Sequence, residues 1–170
     1  VAALGTEPWV LRLPSAIIGI LTVLGLYLMT KELASQRVGL FSSFFLATSF
    51  WHIMFSRIGF RAIMAPMLLV WSFYLLFLGM RKVNIMLIAV AGLLFGLGFH
   101  TYLAYRIAPI IALYPLWIFY KNWVSDTDVG RPIGRPTSQY FAPCLIVLFI
   151  IMAVVAASPL LIYYAKNPAD

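Results

Sequence analysis

Five polar residues stand at the ends of strongly apolar stretches of this 170-residue sequence, and three of them are arginines. Arg57 and Arg61 are four residues apart, and so are Tyr102 and Arg106, with His100 just before them. At this spacing the side chains of an α-helix lie on one face, so each pair could converge on a single anion. Guanidinium groups bind phosphate through paired N–H donors. The pattern therefore predicts a phosphate site formed by these five residues.

The alternative for the arginines is that each one anchors a helix at a membrane surface, with its aliphatic stem buried and its guanidinium group among lipid headgroups. The histidines have a similar alternative, since His52 follows Trp51 and His100 lies near Tyr102, as in the aromatic belt of a bilayer interface. Two histidines without a nearby carboxylate make a poor metal site. We therefore assign no metal ligand and no catalytic acid or base in this chain.

The composition is that of a membrane protein. Hydrophobic residues make up 64% of the chain and charged residues 10%, against roughly 45–50% and about 25% in soluble domains. The formal net charge is +7, but the basic residues are scattered singly between apolar runs, which excludes a nucleic-acid-binding surface. The single cysteine, Cys144, lies inside an apolar run, so a disulfide framework is excluded and a small buried residue is predicted.

Six apolar stretches follow one another, most of them near the length that crosses ~30 Å of hydrocarbon. They run approximately from Leu13 to Thr30, Val38 to Phe55, Ala62 to Met80, Val83 to Phe99, Thr101 to Tyr120 and Phe141 to Tyr164. Because they are continuously apolar, we predict an all-α transmembrane bundle of about six spans in one domain, 1–170. Gly92 with Gly96, and Ser43 with Ala47, have the small-residue spacing that lets membrane helices approach closely.

Basic residues in the loops predict which side of the membrane is cytoplasmic. The predicted cytoplasmic side receives Lys31, Arg37, Arg81, Lys82, Lys121, Arg131 and Arg135, and the outer side receives Arg12, Arg57, Arg61, Arg106 and Lys166. Residues 1–12 are then the end of an external loop, and residues 122–139 are a cytoplasmic linker in which Asp126 and Asp128 are solvated. Cations held where positive charge is normally avoided indicate an anion to bind.

Three segments of the chain resemble a known enzyme family. They are Leu4-Gly5 with Trp9-Val10-Leu11-Arg12-Leu13-Pro14-Ser15-Ala16, then Trp51-His52-Ile53-Met54-Phe55-Ser56-Arg57, and then Gly96-Leu97-Gly98-Phe99-His100-Thr101-Tyr102-Leu103-Ala104-Tyr105-Arg106. In this order they resemble the bacterial membrane glycosyltransferases related to dolichyl-phosphate-mannose protein mannosyltransferases and the lipid A aminoarabinose transferase. Those enzymes share the C-type glycosyltransferase fold, and the resemblance covers nearly the whole chain.

The resemblance implies an enzyme of the bacterial inner membrane that moves a hexosyl or pentosyl group from a polyprenyl-phosphate donor to an acceptor at the extracytoplasmic face. Its partners are the lipid-linked donor, membrane lipids and an acceptor that the sequence does not identify. In that family an acidic residue of the first external loop activates the acceptor or positions a metal, and Glu7 is the one acid of that loop here. We predict no cofactor in this segment, leave open a divalent metal in the parent protein, and interpret the chain as an internal fragment that is inactive alone.

Under this interpretation the arginines stabilise the charge that grows on the departing lipid phosphate. Two other classes of protein remain as alternatives. A transporter or lipid flippase would also place arginines near a substrate path, but with broken helices at the membrane midplane and charges within the spans. A non-catalytic membrane scaffold would leave the outer arginines without a shared target.

Overall fold

The computed structural model describes residues 8–58, 61–82, 84–113, 117 and 141–166, and all regular secondary structure in these ranges is helical. The helices are α1 (Pro8–Leu33), α2 (Gln36–Thr48), α3 (Phe50–Ile58), α4 (Met64–Lys82), α5 (Ile85–Gly98), α6 (residues 108–113) and α7 (Phe141–Lys166). Two 3₁₀ segments, Arg61–Ile63 and Leu103–Ile107, precede α4 and α6. The predicted all-α class is confirmed in the described ranges.

The described helices account for two or three of the six predicted membrane crossings. Two of the described helices are long and apolar enough to cross a membrane, α1 over Arg12–Leu33 and α4 over Met64–Lys82, and the bent pair of α2 and α3 makes a third if it is one span. Two apolar segments, α5 and Cys144–Leu160 of α7, are shorter. Helix α1 begins at Pro8, inside the predicted loop segment 1–12. Residues 1–7 and the predicted linker 122–139 lie outside the described residues.

Helices α2 and α3 run antiparallel to α1. A Cβ atom on Gly39 of α2 would lie 3.1 Å from the carbonyl oxygen of Tyr27, and one on Gly19 of α1 would lie 3.0 Å from Cβ of Ser56 in α3. Residue numbers therefore fall along α1 as they rise along α2 and α3. Between α1 and α2, the hydroxyl of Ser35 caps α2 by accepting from a backbone N–H of its first turn, so the chain reverses at that end of the bundle.

Helix α4 runs parallel to α1 and antiparallel to α5. The indole Nε1–H of Trp71 donates to the carbonyl oxygen of Leu21 at 3.1 Å, and further along both helices Arg81 forms an ion pair with Glu32 at 2.6 Å. Residue numbers therefore rise in the same direction on α1 and α4. Towards α5, the buried hydroxyl of Ser72 donates to the carbonyl oxygen of Ala91 at 2.9 Å. These interactions fix the helices in register, because each one joins residues of two helices that are far apart in the sequence.

Helices α5 and α7 run parallel and touch through glycines. A Cβ atom on Gly92 would lie 2.6 Å from the carbonyl oxygen of Phe149, and one on Gly96 would overlap the carbonyl oxygen of Ala153. The close approach predicted for Gly92 and Gly96 is thus confirmed. Because both helices point the same way, α7 begins at the end of the bundle opposite to the end of α5.

Two predicted burial assignments are wrong. Ala47 is exposed, because α2 contacts α1 through Gly39 and Ser43, which are its buried residues. Cys144 is also exposed. The face of α7 that packs on α5 carries a four-residue repeat of buried side chains, Leu145, Phe149, Ala153 and Ala157.

The stretch predicted as one helix from Val38 to Phe55 is broken. Helices α2 and α3 meet at Ser49 with a bend of 58°. The Thr48 hydroxyl donates to the carbonyl oxygen of Phe44 at 3.0 Å, and Ser49 takes an extended conformation, with φ −64° and ψ 126°. A hydroxyl that bonds to the preceding turn competes with the helical backbone bonds and bends the helix.

The surface of the bundle is apolar. The core lies between α4, α5 and α7 and includes Leu76, Met80, Ile88 and Phe95. Large hydrophobic side chains on the outer faces are well over half exposed, among them Ile20, Phe41, Phe45 and Ile110. Exposed apolar surface of this extent marks an interaction with another apolar phase, and for long apolar helices that phase is the lipid bilayer.

Candidate functional site

The five predicted site residues lie at one end of the bundle. Arg57 is in the last turn of α3, and Arg61 begins the 3₁₀ segment that leads into α4. His100 follows the end of α5, Tyr102 is the N-cap of the second 3₁₀ segment, and Arg106 is in its last turn. Since α4 and α5 are antiparallel, the start of α4 and the end of α5 are at the same level. We call this the arginine end.

The opposite end of the bundle carries four of the seven cations predicted for the cytoplasmic side. Lys31 is in the last turn of α1, Arg37 is in the first turn of α2, and Arg81 and Lys82 are in the last turn of α4. Glu32 is the one carboxylate of the described ranges, and it pairs with Arg81 there. No carboxylate of the described residues therefore lies at the arginine end, so an anion from outside these residues would complement its charge.

The local backbone differs from the α-helix on which the paired spacing depends. Helix α3 ends at Ile58, and Arg61 opens a 3₁₀ segment, so no continuous described helix aligns Arg57 with Arg61. Tyr102 has extended dihedral angles, φ −153° and ψ 142°, and Arg106 follows in a 3₁₀ segment with three residues per turn. In that geometry Tyr102 is aligned with Tyr105 rather than with Arg106.

The side chains of the arginine end differ in exposure. Arg57, His100 and Arg106 are exposed, and 43% of the Tyr102 surface is accessible. The Arg61 side chain lies outside what the structure describes. The described side chains at the arginine end are therefore largely exposed on the surface of the bundle.

Hydrogen bonds hold the segment that carries His100, Tyr102 and Arg106. The Thr101 hydroxyl donates to the carbonyl oxygen of Gly98 at 2.7 Å, and the backbone N–H of His100 donates to Leu97 at 3.1 Å. The N–H of Tyr105 donates to the carbonyl oxygen of Tyr102 at 3.0 Å. These bonds fix the backbone between α5 and α6, so the Cα positions of its polar residues are defined.

Tyr105, which the sequence analysis did not select, is the buried residue of this turn. Only 4% of its surface is exposed, and its ring lies 5.8 Å from the ring of Phe95 and 5.4 Å from that of Phe99. A Cβ atom on Gly98 would overlap the Tyr105 ring. The sequence signal for this contact is Gly98, the third glycine after Gly92 and Gly96.

His52 makes a contact between two helices that its neighbour Trp51 does not suggest. Its Nε2 lies 3.1 Å from the carbonyl oxygen of Gly19, while Trp51 is 67% exposed. Because a carbonyl oxygen only accepts, Nε2 carries the proton in this contact. His52 thus joins α3, and with it Arg57, to α1.

The described residues do not form a metal site. Within these ranges no group of three His, Cys, Asp or Glu side chains is arranged to hold a metal ion. Glu7, Asp126 and Asp128 lie outside the described residues.

Comparison with known proteins gives one finding. Residues 1–163 match the family model described as dolichyl-phosphate-mannose-protein mannosyltransferase. No curated protein and no solved structure matches the chain.

Proposed function

We propose, because the chain belongs to the dolichyl-phosphate-mannose-protein mannosyltransferase family, that it is the donor-binding part of a membrane glycosyltransferase. The enzyme transfers a hexosyl or pentosyl group from polyprenyl phosphate to an acceptor at the extracytoplasmic face of a bacterial inner membrane. Arg57, Arg61 and Arg106, with Tyr102 and His100, bind the donor phosphate. The observation that carries the proposal is that these five residues share the arginine end, away from the one described carboxylate.

The chemistry of transfer explains why arginines are needed there. The bond between the anomeric carbon of the sugar and a phosphate oxygen breaks, and its electron pair stays on the phosphate. The acceptor hydroxyl forms the new bond to the anomeric carbon and loses its proton to a base that lies outside the described residues. Negative charge on the phosphate is therefore larger in the transition state than in the donor. Guanidinium groups fixed around it lower the barrier, because they bind the transition state more strongly than the substrate.

The directions of the helices support the proposed topology. Alternating crossings put α1 and α4 in one direction and α2–α3 and α5 in the other, as the contacts between them require. Since α5 and α7 are parallel, the chain between them has to cross back. A further crossing near residues 101–120, the fifth of six in chain order, supplies this return. The arginine end then carries five of the basic residues and the other end seven, which favours an extracytoplasmic arginine end in a C-type core of about six spans.

The break at Ser49 bears on the transporter alternative. A transporter places charged or ion-coordinating groups at its helix breaks. The bend between α2 and α3 is flanked by Thr48 and Phe50, and no Lys, Arg, Asp or Glu lies within seven residues of it. The described charges are at the ends of the bundle instead, so the transferase is the better supported function.

The experiment that tests this function follows the donor and the sugar separately. The full-length protein is reconstituted in nanodiscs with polyprenyl-phosphate mannose, or with a pentosyl donor, and with membrane extract as the source of acceptor. We expect release of polyprenyl phosphate together with labelled acceptor, and loss of both in Arg106→Gln. Movement of the intact donor between leaflets of proteoliposomes without sugar release would identify a flippase. If a correctly folded protein shows neither sugar transfer nor movement of the donor, a non-catalytic scaffold is the remaining interpretation.

A further inference from the structure

We propose that Tyr105 is a positioning residue, held against the side-chain-free surface of Gly98, that sets the place of Arg106 at the donor phosphate. The proposal rests on the function proposed above for Arg106. It concerns two residues that make no contact with the substrate themselves. Position 98 must then be glycine for efficient transfer, although it lies inside the protein.

The contact between these residues leaves no room for a side chain at position 98. A Cβ atom on Gly98 would overlap Cζ and Cε1 of Tyr105 and would lie 2.5 Å from its hydroxyl oxygen. Separations this short do not occur between non-bonded atoms, so any side chain at position 98 displaces the ring. The ring cannot move outwards freely, because Tyr105 is only 4% exposed.

Aromatic side chains enclose the ring on its other sides. The centroids of Phe99 and Phe95 lie 5.4 Å and 5.8 Å from that of Tyr105, and Phe149 of α7 lies 5.5 Å behind Phe95. This group is continuous with the core between α4, α5 and α7. Interiors of this kind are close-packed, so they transmit a displacement instead of absorbing it.

The displacement is transmitted to the site because Tyr105 and Arg106 are adjacent in one short 3₁₀ segment. The same segment begins at Tyr102, whose carbonyl oxygen accepts from the N–H of Tyr105 at 3.0 Å. A shift of the ring therefore moves the backbone that carries both Tyr102 and Arg106. A displacement of about 1 Å at a group that acts on the transition state is able to cost on the order of 10²-fold in rate.

The ring, and not the hydroxyl, performs this role. The Tyr105 hydroxyl is buried and has no hydrogen-bond partner among the described residues. Phenylalanine keeps the ring and its contacts, whereas leucine fills less of the space and leaves the turn unsupported. The two substitutions at position 105 therefore separate positioning from a requirement for the hydroxyl.

The test is a double-mutant cycle in the full-length protein, with donor turnover as the readout. Gly98→Ala should lower kcat/KM for the lipid donor on the order of 10²-fold, and it should cost little more in an Arg106→Ala background, because the displaced group is already gone. Tyr105→Leu should behave like Gly98→Ala, and Tyr105→Phe should retain wild-type turnover. Gly79→Ala is the matched control, since it meets Ile88 at the opposite end of the bundle.

Fully additive losses from Gly98→Ala and Arg106→Ala, or equal turnover of Tyr105→Leu and Tyr105→Phe, would overturn the proposal. A second readout does not depend on transfer. A single cysteine replaces Tyr102 in a Cys144→Ala background, and its rate of modification by a thiol reagent is measured with and without Gly98→Ala. If the wild-type protein transfers no sugar, the proposed function fails. The rate of thiol modification at position 102 then still shows whether the Tyr105 ring fixes the turn. A changed rate supports a coupled turn, and an unchanged rate refutes it.

Discussion

The imidazole Nε2 of His52 donates to the carbonyl oxygen of Gly19 at 3.1 Å and so joins α3 to α1 at the arginine end. The two helices are already close there, since a Cβ on Gly19 would lie 3.0 Å from Cβ of Ser56. Arg57 follows Ser56 directly. The position of this arginine therefore depends on how α3 lies against α1.

We predict that His52→Leu destabilises the bundle while His52→Gln does so much less. Leucine removes the donor to Gly19, and a hydrogen bond of this kind contributes about 1 kcal/mol. The glutamine amide N–H is able to replace the imidazole donor. The measurement is the free energy of unfolding in mixed detergent micelles, together with donor turnover. Equal stability of the leucine variant and the wild type would mean that the bond contributes nothing.

The three arginines are predicted to respond to removal of the guanidinium fork as well as to removal of charge. Lysine keeps the charge but loses paired N–H donors, so Arg106→Lys should lower turnover about 10-fold, the equivalent of a charged hydrogen bond of ~1.5 kcal/mol. Arg106→Gln should cost on the order of 10²-fold in kcat. Arg57 and Arg61 should follow the same order with smaller losses, because the turn around Tyr105 fixes Arg106 most firmly.

The control for this series is Arg37, an exposed arginine at the other end of the bundle. Arg37→Lys and Arg37→Gln should leave turnover unchanged. A lysine also reaches the membrane surface from a helix end. Wild-type turnover in all three Arg→Lys variants of the arginine end would therefore identify these residues as interface anchors.

Cysteine labelling tests the orientation of the bundle. In a Cys144→Ala background, single cysteines at Ile58, Lys82 and Thr127 are treated with a membrane-impermeant thiol reagent in intact cells. Ile58→Cys should react, because the proposed topology puts the end of α3 on the extracytoplasmic side, and the other two should react only after the cells are opened. The reverse pattern would put the arginine end in the cytoplasm and would contradict the proposed site.

Substitution of the glycines between α5 and α7 should be more costly than that of other helical glycines. In Gly92→Ala the new Cβ lies 2.6 Å from the carbonyl oxygen of Phe149, and backbone atoms cannot move aside. Overpacking of this kind costs ~1–3 kcal/mol. In Gly79→Ala the nearest atom is Cγ1 of Ile88, a side-chain atom, at 2.7 Å, the backbone nitrogen of Ile88 is 3.2 Å away, and alanine favours the helix by ~1 kcal/mol. Gly92→Ala should therefore lower the free energy of unfolding more than Gly79→Ala does. A Gly92→Ala variant that is the more stable of the two would contradict the packing of α5 on α7.

Local properties of the sequence predicted the class of the protein and, to within two residues, the ends of α4, α5 and α7. Apolar runs of bilayer length are helical because a backbone in lipid has to satisfy its own hydrogen bonds. Asn84 caps α5 by accepting from the N–H of Met86 at 2.9 Å, so this helix begins at Ile85, two residues after the predicted Val83. The grouping of Arg57, Arg61 and Arg106 at one end followed from counting crossings.

Contacts between distant residues decided what the sequence pattern did not show. The break at Ser49, the exposed Ala47 and Cys144, and the parallel pairing of α5 with α7 depend on which faces of the helices meet. The roles of His52 and Tyr105 have the same origin. A polar residue at a helix end gives the same sequence pattern whether its side chain faces lipid or a carbonyl group of a neighbouring helix. Only the packing of the helices distinguishes the two cases. The sequence by itself thus determined that this is a membrane protein, that it is helical and that three arginines share one end. The tertiary structure decided which side chains hold the arginine end in place. Packing brings together residues that are far apart in the chain, and no periodic pattern in the sequence predicts those contacts.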